Sequence, residues 1–150
     1  MKLEDEKYME IALEQANEAF RKGEVPIGAV LVKEGEILVA DHNRREELRD
    51  ATAHAEILVL RRGGEKLGSW RLLEATLYVT LEPCPMCAGA LVQARVPRLV
   101  FGARDPKAGA VCSLYNITND PRLNHRLEVV EGVLEKSCAL LLRGFFQERR

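Results

Sequence analysis

Apolar residues recur at helical spacing near the start of the chain, at Met9, Ala12, Leu13, Ala16 and Phe20, and predict a helix from Asp5 to Lys22 with Gly23 as its stop. The pattern then changes. A continuous apolar run from Ile27 to Val32, a charged turn at Lys33-Glu34-Gly35-Glu36 and a second run from Ile37 to Ala40 read as a hairpin buried on at least one face. Ile57, Leu58, Val59 and Leu60 predict a second helix, opened by Thr52 as N-cap and ending near Gly63-Gly64. Ala75 to Leu81 reads as a strand leading straight into Pro83-Cys84-Pro85-Met86-Cys87, from which a helix runs to about Arg95. Leu99 to Ala103 and Leu127 to Val130 are further strands, and Leu134, Cys138, Leu141, Leu142, Phe145 and Phe146 mark an amphipathic C-terminal helix. Strands alternating with helices predict a layered α/β domain, in which helices cover a central sheet that starts with an antiparallel hairpin.

Arg104 to Arg126 breaks this regularity. It is rich in Asn, Asp, Pro and Gly, and a loop-rich stretch of that length in a compact domain is more often functional than decorative. With 150 residues, the chain is expected to form one domain, 1–150, with a proper core. Its 22 basic and 23 acidic residues give no global basic field, which leaves room for a short RNA substrate but not for binding by net charge. No stretch approaches a membrane span and the first residues lack the apolar core of a signal peptide, so a soluble, cytoplasmic protein with no membrane partner is expected.

Two short clusters carry the chemistry. His54-Ala55-Glu56 and the Cys84/Cys87 pair together supply three soft zinc ligands and one free carboxylate. A structural zinc site is closed by four protein ligands, whereas a catalytic one keeps a position open for water. Cys84 and Cys87 form the chain's one Cys-x-x-Cys pair, Cys112 and Cys138 stand apart, and Cys138 falls on the apolar face of the last helix, where core burial is expected. With His54 the set reaches three. One imidazole and two thiolates cancel the charge of Zn²⁺, and the metal lowers the pKa of its water to about 7. Glu56 is then the proton carrier.

Spacing supports the arrangement. Residues two apart inside a helix point to different sides, so His54 and Glu56 can serve one site only at a helix start. Cys84 fits an N-cap with Pro85 at N1, which leaves Cys87 one turn on and facing the same metal. Two helix N-termini would then help keep the thiolates deprotonated. A Cys-x-x-Cys by itself also fits a redox pair, and a lone His-x-Glu occurs by chance in many helices. Taken jointly and in this order, they match the signature of zinc-dependent nucleobase deaminases.

The wider sequence resembles the bacterial tRNA-specific adenosine deaminases over almost its whole length. The resemblance is carried by Val25-Pro26-Ile27-Gly28-Ala29-Val30, Asn43, Thr52 to Glu56, Thr80 to Ala90, Phe101-Gly102-Ala103-Arg104-Asp105 and Asn124-His125-Arg126. It implies a three-layer α/β/α cytidine deaminase-like domain with a mixed sheet, a homodimer, and conversion of the wobble adenosine of an arginine tRNA anticodon to inosine. Residue by residue, it implies that His54, Cys84 and Cys87 hold zinc and that Glu56 shuttles protons. It further implies that Asn43 and Asn124 contact the target nucleotides, and that Asp105 and Lys107 lie in a loop approaching the RNA backbone. Read without it, Asn43 and Asn124 are turn residues and the other two belong to a solvated loop.

Arg44-Arg45, Arg61-Arg62, Arg122, Arg126, Arg143 and Arg149-Arg150 are candidates for a phosphate-binding rim, although dispersed arginines are usually solvated surface. Trp70 is expected in the core, and His42 and His125 in ordinary hydrogen bonds, His125 otherwise touching the substrate loop. Cys112 stands where the resemblance leads one to expect a small residue. Two other functions fit the motifs: a deaminase of a free base or nucleoside such as guanine or cytosine, and a non-catalytic zinc-stabilised subunit that binds RNA or a partner. Glu56 argues against the second, because a purely structural zinc site has no use for a carboxylate that is not a ligand.

Overall fold

The computed structural model describes residues 2–148, so Arg149-Arg150 lies outside the described residues. Helix α1 spans Lys2–Arg21 and is followed by the hairpin of β1 (Gly28–Lys33) and β2 (Glu36–His42). Glu34 and Gly35 turn the hairpin at φ 51° and 76°, the paired positive angles that match strand twist in a two-residue loop. Next come a short helix α2 (Arg45–Leu48), helix α3 (Ala55–Leu67), β3 (Ala75–Leu81), α4 (Pro85–Gln93), β4 (Arg98–Ala103), β5 (Glu128–Val130) and α5 (Glu135–Glu148).

The five strands form one mixed sheet in the order β2-β1-β3-β4-β5. β1 runs antiparallel to both β2 and β3, while β3, β4 and β5 are parallel. Side chains alternate across the sheet. Leu31, Leu77, Val79, Leu99 and Phe101 face Val59 of α3 and Leu91 and Val92 of α4. Val30, Val32, Tyr78 and Val100 face Tyr8, Met9 and Ala12 of α1 and Cys138 of α5. The result is the three-layer α/β/α arrangement, and Cys138 is core as expected.

Three sequence expectations change. Helix α3 does not stop at Gly63-Gly64: Gly63 is buried against Leu31, where any Cβ would overlap the leucine methyl, so this glycine serves close packing. The helix ends at Gly68, in the left-handed conformation at φ 64°. Its N-cap is His54, with Thr52 two residues outside in a turn held by Asp50. Trp70 is 58% exposed, because the chain leaving Gly68 turns over the surface and Leu72 fills the core position instead. The Arg71 guanidinium lies 4.2 Å from the Trp70 ring centroid.

At the far side of the sheet, the bidentate Arg98 fork holds Asp5 with both contacts at 2.9 Å, and the Tyr78 hydroxyl donates to the same carboxylate at 2.8 Å. This pins α1 to β3 and β4. Among the described residues, no helix is long and apolar enough to cross a membrane.

Candidate metal centre and active site

Both chemical clusters lie where a helix begins. His54 is the N-cap of α3, with extended φ and ψ of −75° and 153°, so Glu56 occupies the second helical position, where the chain has only begun to coil. Cys84 is the N-cap of α4, Pro85 fills N1 at no hydrogen-bonding cost, and Cys87 follows one turn later. α3 and α4 follow β2 and β3, which run in the same direction because β1 between them is antiparallel to both, so the two helices pack side by side with their N-termini at the same end.

The two helix starts bring three donors together. His54 Nδ1 lies 3.6 Å from Cys84 Sγ and 3.5 Å from Cys87 Sγ, and all three donor atoms fall within 4.8 Å of one another. Tetrahedral zinc, with sulfur at about 2.3 Å and imidazole nitrogen at about 2.0 Å, sets these atoms roughly 3.5 Å apart. The spacing therefore fits the ion. So does the donor chemistry. Taken by themselves, the thiols share one negative charge: the hydrogen bond from Cys87, aided by His54, lowers the Cys84 pKa to about 4 against the effect of burial. That same bond, together with burial, holds the Cys87 thiol far above its ordinary value, and the hydrogen bond with Cys84 raises the His54 pKa. A divalent cation would let both thiols ionise and His54 stay neutral.

Glu56 is 4% exposed and donates no ligand to this trio. Burial pushes its carboxyl up to about 7. A carboxyl poised between its two protonation states beside these three candidate metal donors can both take and return a proton.

The other expected contact residues are placed as follows. Asn43 is 3% exposed and its Oδ1 accepts the backbone N–H of Ala55 at 2.8 Å, which joins the loop after β2 to the first turn of α3. Asp105 Oδ1 accepts the N–H groups of Lys107 at 3.0 Å and Ala108 at 3.2 Å, closing a turn that leaves Lys107 exposed. Asn124 is exposed. Of the arginines, Arg44 is engaged by Asp41 and Glu47, Arg62 by Asp41, and Arg122 by Asp120. The histidines behave as expected: His42 is bonded to Gln15 at 2.9 Å, and His125 Nε2 meets the Val96 carbonyl at 2.8 Å.

Two buried carboxylates, one before β1 and one after β3, were not singled out by sequence reasoning. Glu24 accepts the N–H groups of Glu46 and Glu47 and so caps α2 from outside the helix. Glu82 receives the N–H groups of Asp105, Val111, Cys112 and Ser113 and the Ser113 hydroxyl. Burial opposes its ionisation, but these donors prevail and hold its pKa at about 2. In sequence each is one acidic residue among many, because the donors that identify it are 22 or more residues away.

A mixed sheet of this order, with a histidine and two cysteines at adjoining helix starts, defines a deaminase of the cytidine deaminase-like class. In agreement, the family model for MafB19-like deaminase matches residues 3–150. A tRNA-specific adenosine deaminase of Bacillus subtilis (strain 168) is 55% identical over 147 residues, covering 98% of this chain and 91% of that protein. A solved structure from a study of A-to-I editing by tRNA:A34 deaminases at the wobble position of transfer RNA is 49% identical. It superposes with a TM-score of 0.88 over 91% of this chain and 99% of that one. A guanine deaminase from Nitrosomonas europaea is more distant, at 27% identity and a TM-score of 0.76 over 93% of this chain and 83% of that one. The chain belongs to the tRNA-specific adenosine deaminases within this deaminase family, and it is an enzyme of the hydrolase class.

Proposed function

We propose that this enzyme converts adenosine at the wobble position of a tRNA anticodon loop, that of an arginine tRNA, to inosine, with zinc held by His54, Cys84 and Cys87. The observation that carries the reading is the 3.5 and 3.6 Å separation of the two sulfurs from His54 Nδ1, with the buried Glu56 two residues along the same helix start. Bound zinc supplies a Lewis acid and a water whose pKa is lowered to about 7. Glu56 takes the proton released as water attacks C6 of adenine, delivers it to the ring nitrogen, and then assists departure of the amine as ammonia. Adenosine and water thus yield inosine and ammonia, with no oxidant or reductant involved.

Asn43, fixed through its oxygen to Ala55, presents its amide N–H₂ to the target nucleotide. Asn124, Asp105 and Lys107 lie along the irregular segment as contacts to the flanking RNA, a placement that supports an open groove rather than a closed small-molecule pocket. The enzyme acts in the cytoplasm as a homodimer. The apolar trough between α3 and α4, lined by Ile57, Leu60, Ala90 and Ala94 with exposed Trp70 at its rim, supports this by offering a surface for a second copy. Sedimentation showing only monomer at micromolar concentration would remove the dimer.

The deciding experiment incubates zinc-loaded protein with an arginine tRNA anticodon stem-loop bearing wobble adenosine, and separately with guanine, cytosine and adenosine. Inosine in the stem-loop alone is expected. Turnover of a free base alone would keep the zinc chemistry and overturn the RNA assignment.

A further inference from the structure

Much of what orders the irregular segment after β4 converges on one buried carboxylate. Glu82 is 2% exposed and stands two residues before Cys84, where β3 passes into the cysteine loop. Its Oε2 accepts the N–H groups of Val111 at 3.1 Å, Cys112 at 2.7 Å and Ser113 at 2.9 Å. Its Oε1 accepts the N–H of Asp105 at 3.0 Å and the Ser113 hydroxyl. The Ala110 N–H donates to the Pro83 carbonyl at 2.8 Å, one residue further on. Gly109 lies so close that a Cβ there would overlap the carboxyl carbon and both oxygens. Residues 105–113 are thereby fastened to the same short stretch of chain that supplies both sulfur ligands.

We propose that Glu82 is a positioning residue for substrate recognition, which sets the segment 105–113 in register with the metal centre so that RNA held by the segment delivers its base to Glu56. The inference rests on the reading above that RNA lies against this segment. Only a carboxylate suits the position. Every partner is a donor, so the amide of glutamine would turn its own N–H₂ toward at least one of them. Gly109 is equally constrained, since alanine would drive its methyl into the carboxyl group.

The test compares Glu82→Gln, Gly109→Ala and the milder Ser113→Ala with wild type. The measurements are KM and kcat on the anticodon stem-loop, zinc per chain, and hydrogen exchange at Val111, Cys112 and Ser113. Glu82→Gln and Gly109→Ala are expected to retain zinc, to exchange faster at those amides, and to raise KM about tenfold or more with a smaller change in kcat. Ser113→Ala should move KM in the same direction by less. If Glu82→Gln fails to fold, the other two variants decide. Faster exchange with KM unchanged overturns the proposal, and so does loss of zinc with kcat falling alone, since Glu82 would then support only the cysteine loop. A wild-type protein that leaves the stem-loop unconverted removes the RNA reading and the proposal with it, whereas a wild type that converts it, beside variants of unchanged KM, removes the proposal alone.

Discussion

Asn43 Oδ1 accepts the backbone N–H of Ala55 at 2.8 Å, so the loop after β2 is bonded to the one residue between His54 and Glu56. The side chain therefore caps α3 from a distance while its amide nitrogen is left for another partner. Asn43→Ala should cost about 1–2 kcal/mol of stability, as for a lost helix cap. Asn43→Asp keeps the acceptor and loses the donor. It is expected to keep the cap, so that its urea midpoint lies above that of Asn43→Ala, yet to lose about tenfold or more in kcat/KM on the stem-loop. Full activity in that variant would reduce Asn43 to a cap.

Glu56→Gln preserves the shape of the side chain and removes its ability to accept a proton. Turnover on the stem-loop should fall by about 10²- to 10⁴-fold, while metal analysis still finds zinc bound. Retained turnover would end the assignment of Glu56 as proton carrier; loss of zinc would make it a ligand.

Removing the metal should act on stability as well as on rate. Dialysis against a chelator is expected to abolish turnover, and added Zn²⁺ to restore it, because the proposed ligands His54, Cys84 and Cys87 come together only when the two helix starts are assembled. The melting temperature should rise with free zinc, by the equivalent of about 2.7 kcal/mol at a hundredfold excess over the dissociation constant. Activity that persists after complete removal would overturn the zinc assignment.

Asp5, 4% exposed, has its pKa lowered below 3.8 by the Arg98 guanidinium, with burial opposing and the Tyr78 hydroxyl assisting. The folded protein thus binds the Asp5 proton more weakly than the unfolded chain. Its contribution is fully present above the unfolded value of about 4 and is lost as pH falls through the lower folded value. Asp5→Asn should cost about 2–3 kcal/mol at neutral pH. Urea midpoints of the two proteins should stay separated by a constant gap down to about pH 5 and converge as pH falls below about 4. A gap that persists unchanged into strong acid would deny the ion pair its role.

Much of the fold was legible because its signals are local. Met9, Ala12 and Ala16 repeat at helical spacing and are buried, and the charged turn between two apolar runs became the hairpin of β1 and β2. Cys84, Pro85 and Cys87 took the positions predicted, since a proline at N1 and a second thiol one turn on are properties of a single helix start. The failures were local signals with two meanings. Gly63 has the composition of a helix stop and the function of a packing site against Leu31, and Trp70 has the bulk of a core residue but follows the chain reversal at Gly68.

What the sequence by itself determined is the residue types of the candidate donor set and the start of α4 at Cys84-Pro85. These depend on residue type and on spacing of a few positions. The motif also led to the expectation that His54 meets Cys84 thirty residues later, as it does at 3.6 Å, but only the tertiary structure decided that Asp5 meets Arg98 and that Glu82 meets the backbone of 105–113. A buried carboxylate is recognisable by the donors that surround it, and those are brought near by strand order and helix packing rather than by neighbours in the chain. That is why Glu56 could be singled out as a candidate from its proximity to His54 in sequence, whereas Glu82, similarly buried and with more hydrogen bonds, became visible only when the sheet had set β4 beside β3.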